Sequence, residues 1–115
     1  MKTAFISVLG CLLVGMGLGV SQAQKTYTIG MSQCNLGEPW RQQMNADVKK
    51  AAEAHANLKV IFKDAQNDSL VQRSHVEEFI SQGVDLIIIS PREAAPLTKP
   101  VAEAYEAGIP VIVLD

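Results

Sequence analysis

Leu86-Ile87-Ile88-Ile89 constrains this chain more than any other stretch. Four consecutive large apolar residues cannot alternate between core and solvent, so they read as a strand buried on both faces, the environment of an interior strand in a parallel sheet. Ser90-Pro91 ends the run. Ahead of it, Gly83 stands where a helix stops in the left-handed conformation, and Val84 is the apolar residue that follows such a stop. The same pair recurs at Gly108-Ile109, before a second apolar run at 110–114, PVIVL, which reads as a fourth, buried strand.

The other elements follow from periodicity. Tyr27, Ile29 and Met31 alternate with Thr28, Gly30 and Ser32, which predicts a first strand, and LKVIFK at 58–63 predicts a short second one. Between them a helix is expected over 39–56, with Pro39 in its first turn, where the missing N–H removes nothing. Trp40, Met44, Val48, Ala51, Ala52 and His55 share its apolar face. A polar loop at 64–69 precedes a second helix, capped by Asp68 or Ser69 and running to about Gln82, with Leu70, Val71, Val76, Phe79 and Ile80 as its apolar set. Residues 92–97 read as loop or a single turn. Thr98 then caps a third helix with Pro100 in its first turn, turning Val101, Ala104, Tyr105 and Ala107 inward.

The order β-α-β-α-β-α-β makes this an α/β chain whose right-handed crossovers build a parallel sheet with helices on both faces. In such a sheet every strand-to-helix loop lies at the carboxyl edge. Residues 33–41, 64–68, 90–95 and Asp115 are therefore expected around one crevice.

Not all 115 residues belong to that domain. Met1-Lys2 is followed by apolar sequence over 4–20 and by small residues at Ser21 and Ala23, the pattern of a cleavable signal peptide over 1–23. A retained membrane anchor and lipidation at Cys11 are the weaker alternatives, because of the small-x-small site and the apolar sequence beyond Cys11. Cleavage removes Lys2 and leaves the exported chain, 24–115, one charge more acidic than the formal −2 of the whole. The absence of a basic stripe argues against nucleic acid as a partner. Cleavage also removes Cys11, and Cys34 alone cannot form an internal disulfide.

Catalytic and cofactor chemistry find no support. Gly15-Met16-Gly17-Leu18-Gly19 lies in the leader and lacks the third glycine of a dinucleotide loop, so no cofactor is expected. His55 and His75 read as surface or helix-end residues rather than metal ligands, and Cys34 as a structural thiol. No Ser-His-Asp arrangement can be assembled, and the chain reads as a non-enzyme. Binding chemistry is concentrated instead at Glu38, Trp40 and Arg41. Glu38 reads as a helix-dipole partner or a ligand acceptor, and Trp40 as a core contact or a platform for the apolar face of a sugar. Arg41, one step around the helix and pointing away from Trp40, reads as a surface residue or a fork of donors. Asp115 reads as a cap, or as an acceptor for two hydroxyl groups.

IGMSQCNLGEPWR (29–41), DAQNDSLVQ (64–72), QGVDLIIISPREAAPL (82–97) and AGIPVIVLD (107–115) carry a family resemblance. Together they resemble the N-terminal part of type I periplasmic sugar-binding proteins, the ribose- and galactose-binding group that serves ABC importers. The resemblance implies that 24–115 is the first lobe of a type I fold, with a hinge and second lobe beyond it, closing on a monosaccharide or related polar small molecule. It places ligand contacts at Glu38, Trp40, Arg41, Ser90 and Asp115, with Glu93 as a weaker candidate. It names ABC permease membrane subunits as partners and the periplasm as the location, with no metal or cofactor. Arg41 stands where relatives often carry a second aromatic, and Ser90 where ribose binders carry an amide. Pentoses, hexoses, furanosyl sugars and sugar acids all remain open. A periplasmic sugar or autoinducer sensor of a signalling receptor is the alternative output, and an exported enzyme on the same scaffold is a third.

Overall fold

The computed structural model describes residues 22–114. The leader expected over 1–23 falls outside them apart from its last two residues, and Asp115 also falls outside. In chain order the elements are β1 (Tyr27–Gln33), α1 (Pro39–Glu53), β2 (Leu58–Asp64), α2 (Ser69–Gln82), β3 (Leu86–Ser90), α3 (Ala94–Glu106) and β4 (Val111–Val113). All strand pairs are parallel and the sheet order is β2-β1-β3-β4. The chain thus leaves β1 for one edge, returns past β1 to β3, and continues to β4. That reversal places a topological switch point between β1 and β3, where open α/β sheets part at their carboxyl ends to admit ligands.

The pleat divides the side chains between the two helical layers. Ser32 meets His75 of α2, whereas the next residue, Gln33, meets Met44 and Asn45 of α1. α2 and α3 pack against each other over the main core, Val76, Phe79, Val84, Ile87, Ile89, Leu97, Ala104 and Ile109. Phe79 is wholly buried, a contribution of about 2 kcal/mol for a side chain of this kind. Its ring lies so close to β1 that a Cβ on Gly30 would sit 2.6 Å from it. Glycine at position 30 is what lets α2 approach the sheet.

The helix stops behave as anticipated. Gly83 has φ 64° and Gly108 φ 81°, and the N–H groups of Val84 and Ile109 return to the carbonyls of Phe79 and Ala104. Asp68 caps α2, its Oδ1 accepting from the N–H groups of Leu70 and Val71 at 2.7 and 3.1 Å.

Several expectations need correction. α3 begins at Ala94, so 94–97 is helical and Pro100 lies inside the helix, buried. Thr98 does not cap it; its hydroxyl donates to the Ala94 carbonyl one turn back, at 3.0 Å. Ala104 is buried as expected, but Tyr105 is 77% exposed, and Leu97 and Pro100 complete the buried face. In α2, Leu70 and Val71 face solvent while Gln72 and His75 turn inward with Val76 and Phe79, the i, i+3, i+4, i+7 stripe. α1 buries no residue fully, because it lies over the edge strand β2, and Trp40, Ala51 and His55 are exposed. β4 is shorter than expected and not buried: Ile112 and Val113 are 46% and 58% exposed, since among the described residues β4 pairs only with β3.

Candidate functional site

Gln33 and Ser90 are the last residues of β1 and β3 and are direct register partners at the switch point. Both side chains are buried. Above them, the first turn of α1 sends Arg41 back across the strand ends. Its Nη1 donates to Ser90 Oγ at 2.7 Å and to Gln33 Oε1 at 3.2 Å, and its Nε donates to Glu38 Oε2 at 2.7 Å. Hydrogen bonds from a charged guanidinium are roughly twice as strong as neutral ones. The Arg41 side chain is only 13% exposed, so its bonds to Gln33 and Ser90 are partly screened from water, whereas the one to Glu38 is exposed.

Arg41 does not point away from Trp40. Its Cζ lies 4.1 Å from the centre of the indole ring, in cation–π contact. Adjacent helical residues diverge by about 100°, but the long arginine folds back because Gln33 and Ser90 hold its tip. Trp40 itself is 47% exposed, which removes the core-contact reading and leaves an aromatic surface open at the crevice.

A second layer of polar residues supports this group. Gln33 Nε2 donates to Asn45 Oδ1 at 3.2 Å. Gln72, fully buried on α2, donates from Nε2 to the Ser90 carbonyl at 2.9 Å and accepts the Arg92 N–H on Oε1 at 2.9 Å. The end of β3 is therefore tied to both helical layers. The β2–α2 loop is tied to the β1–α1 loop: the Ala65 N–H donates to the Gln33 carbonyl at 2.9 Å, and the Asn67 N–H to the Cys34 carbonyl at 2.7 Å. Asn35 Nδ2 reaches Asn67 Oδ1 at 3.0 Å. Gln66 and Asn67 adopt φ of 52° and 62°, left-handed backbone that costs on the order of 1 kcal/mol or more for a non-glycine residue. Cys34 is buried between these loops, beside Asn35.

Glu38, Arg41 and Ser90, named from the sequence, are thus brought into one bonded group with Trp40 against it. Glu93 is not hydrogen-bonded into that group; it occupies the N-cap position of α3 and pairs with Arg92 at 3.4 Å. Asp115 lies outside the described residues. Sequence reasoning missed Gln33 and Gln72 as individual residues, although a signal existed for each. Gln33 occupies the position after Met31 where period-two alternation calls for an apolar residue, and Gln72 occupies the inward stripe of α2.

His75 also differs from expectation. It is buried rather than superficial, with Nδ1 3.0 Å from Ser32 Oγ. Burial pushes its pKa down, Lys63 adds to the effect, and Glu78 and Asp64 oppose it. The neutral imidazole is a structural partner for β1. It lies beneath the sheet, on the face opposite Arg41.

A family model described as the periplasmic binding protein domain matches residues 29–115. This chain belongs to that family. The ribose import binding protein of Bacillus subtilis is 38% identical over 92 residues, covering 80% of this chain and 30% of the relative. Among solved structures, the fructose-binding periplasmic domain of a hybrid two-component system superposes with a TM-score of 0.74 at 42% identity, over 77% of this chain and 29% of that one. An ABC transporter solute-binding protein from Bacillus halodurans with bound myo-inositol gives a TM-score of 0.73 at 36% identity, over 79% and 31%. The α/β architecture is therefore that of type I periplasmic binding proteins, a family of binding proteins. The chain spans less than a third of the length of these relatives.

Proposed function

We propose that this chain supplies the first half of a periplasmic receptor that captures a sugar or sugar-like polyol and delivers it to an ABC permease. The arrangement of Arg41 carries the reading: its guanidinium is held at the switch point by Glu38, Gln33 and Ser90, with the Trp40 ring against it. Fixing an arginine side chain takes away about 2 kcal/mol of rotamer freedom. Here folding has already done so, which leaves ligand binding free of that term. The exposed indole offers an apolar surface for ring C–H groups, and the guanidinium offers donors for ring oxygens. Glu38 balances the charge of Arg41, which favours neutral polyhydroxylated ligands over sugar acids. Relatives whose names specify ribose, fructose and myo-inositol support the class, and Ser90 and Asp115 complete the candidate set. In this reading 1–23 is the export leader, and mass analysis of the exported protein should find its first residue at Gln24.

The test is a thermal-shift panel of D-ribose, D-xylose, D-fructose, L-arabinose and myo-inositol on the protein expressed from its gene. At least one compound should raise Tm in a concentration-dependent way; a flat panel, extended to further hexoses and furanosides, would overturn the reading. A sensor role is the second reading, favoured by the likeness to a two-component periplasmic domain. Deleting the gene separates the two: loss of labelled-sugar uptake marks the transport receptor, and loss of a sugar-dependent transcriptional response marks the sensor.

A further inference from the structure

Gln33 is wholly buried and joins the guanidinium to the inner side of α1. Arginine has only donors, so Gln33 must present Oε1 to Arg41 Nη1, which it does at 3.2 Å. Its Nε2 then faces α1, where Asn45 Oδ1 and Met44 Sδ each lie 3.2 Å away as acceptors. On β3, the register partner Ser90 sets a second acceptor beside the first, 2.7 Å from the same Nη1. Glu38 holds Nε. A planar fork held at Nε and Nη1 has one orientation, and it leaves Nη2 without a hydrogen bond among the described residues.

We infer that Gln33 is a positioning residue: its carboxamide, braced by Asn45, aims the Arg41 guanidinium over Trp40 and turns Nη2 toward the crevice. The strand pairing of Gln33 with Ser90 is what makes the aim reproducible, because both acceptors are fixed by the sheet rather than by a loop. Gln33 itself is too deep to meet a ligand. Its influence passes through Arg41.

Trp40 is the only tryptophan of the chain, so its fluorescence reports directly on the guanidinium beside it. The test compares acrylamide quenching of the ligand-free chain and its variants under conditions where all are folded. Gln33→Met keeps the length of the side chain and loses the acceptor. It should loosen the guanidinium, which Ser90 and Glu38 still hold, and raise the quenching constant by about half the increase seen in Arg41→Ala. Gln33→Glu keeps an acceptor toward Nη1 and should stay at the wild-type value. Asn45→Ala removes the brace at a half-buried helix position and should fall between the two. A purely structural role for Gln33 would lower the Tm of Gln33→Met and leave native-state quenching unchanged, and that result overturns the inference. Should Gln33→Met fail to fold, Asn45→Ala decides, and wild-type quenching in that variant overturns it equally.

The consequence for ligand rests on the receptor reading above. A sugar that binds the wild type should bind Gln33→Met about tenfold more weakly, with Gln33→Glu close to wild type. If no sugar binds the wild type, the receptor reading fails while the quenching comparison still decides the role of Gln33.

Discussion

The two ends of the sheet meet the same backbone requirement in different ways. At the amino end, α2 and α3 stop on left-handed residues, and both are glycines with open space around the missing Cβ. At the carboxyl end, the β2–α2 loop also needs left-handed backbone, and it uses Gln66 and Asn67. Glycine would serve that conformation at lower cost, but Asn67 also bonds the Asn35 side chain and so ties two crevice loops together. Where only geometry is required, the chain uses glycine. Where side chains must also converge, it tolerates strain. Strain of this kind collects at functional sites, in keeping with the polar group at Gln33, Arg41 and Ser90, since the Gln33 carbonyl accepts from the neighbouring Ala65 N–H.

Substitutions can break this contrast. The largest stability loss is expected between the two ends, at Gly30→Ala, whose methyl group would meet the Phe79 ring at 2.6 Å. Overpacking of this kind costs about 2 kcal/mol, read as a lower urea midpoint, with the carboxyl-end bonds intact. Next, Gly83→Ala and Gly108→Ala should each cost about 1–2 kcal/mol, because an alanine must adopt φ of 64° or 81°. Neither should alter ligand affinity. Asp68→Ala removes the α2 cap, at about 1 kcal/mol. The smallest effect is expected at Gln66→Gly, within about 0.5–1 kcal/mol of wild type, as relief of strain offsets the added freedom of the unfolded chain. Gln66→Gly as damaging as Gly83→Ala would erase the distinction between the two ends.

A pH experiment sharpens the same contrast on the face opposite Arg41. His75 has a folded pKa below the ordinary 6.5, first through burial and then through Lys63, with Glu78 and Asp64 acting the other way. As pH falls through about 6.5 the unfolded chain takes up a proton that the folded chain still refuses, so the stability fully present above that pH declines. The decline levels off below the folded pKa. Urea midpoints from pH 7.5 to 5 should therefore fall more for wild type than for His75→Gln; equal slopes would show that the buried imidazole carries no such linkage.

Much of the scaffold was legible because its signals are local. The apolar run of β3, the Gly83-Val84 and Gly108-Ile109 stops and the Asp68 cap each depend on neighbours within one turn. The start of α3 was not, because Pro100 reads as a first-turn proline behind a Thr98 cap, whereas the observed helix begins at Ala94 and buries Pro100 in its interior. At the site, the residue types at Glu38, Trp40 and Arg41 were readable. The direction of Arg41 was not, because partners 8 and 49 positions away set it. Burial was misjudged in α1 and β4 for one reason: apolar periodicity gives the face that an element presents, and sheet order decides whether anything covers it.

The most direct test of the account is isothermal titration of wild type and Arg41→Ala with whichever panel sugar raises Tm. Arg41→Ala should lose at least about a hundredfold in affinity, as for removal of a desolvated charged donor, and should also unfold at a lower midpoint, because the buried Gln33 Oε1 and Ser90 Oγ lose their donor. Equal affinity in the two proteins would place the ligand elsewhere and contradict the assignment of the β1–β3 switch point as the site.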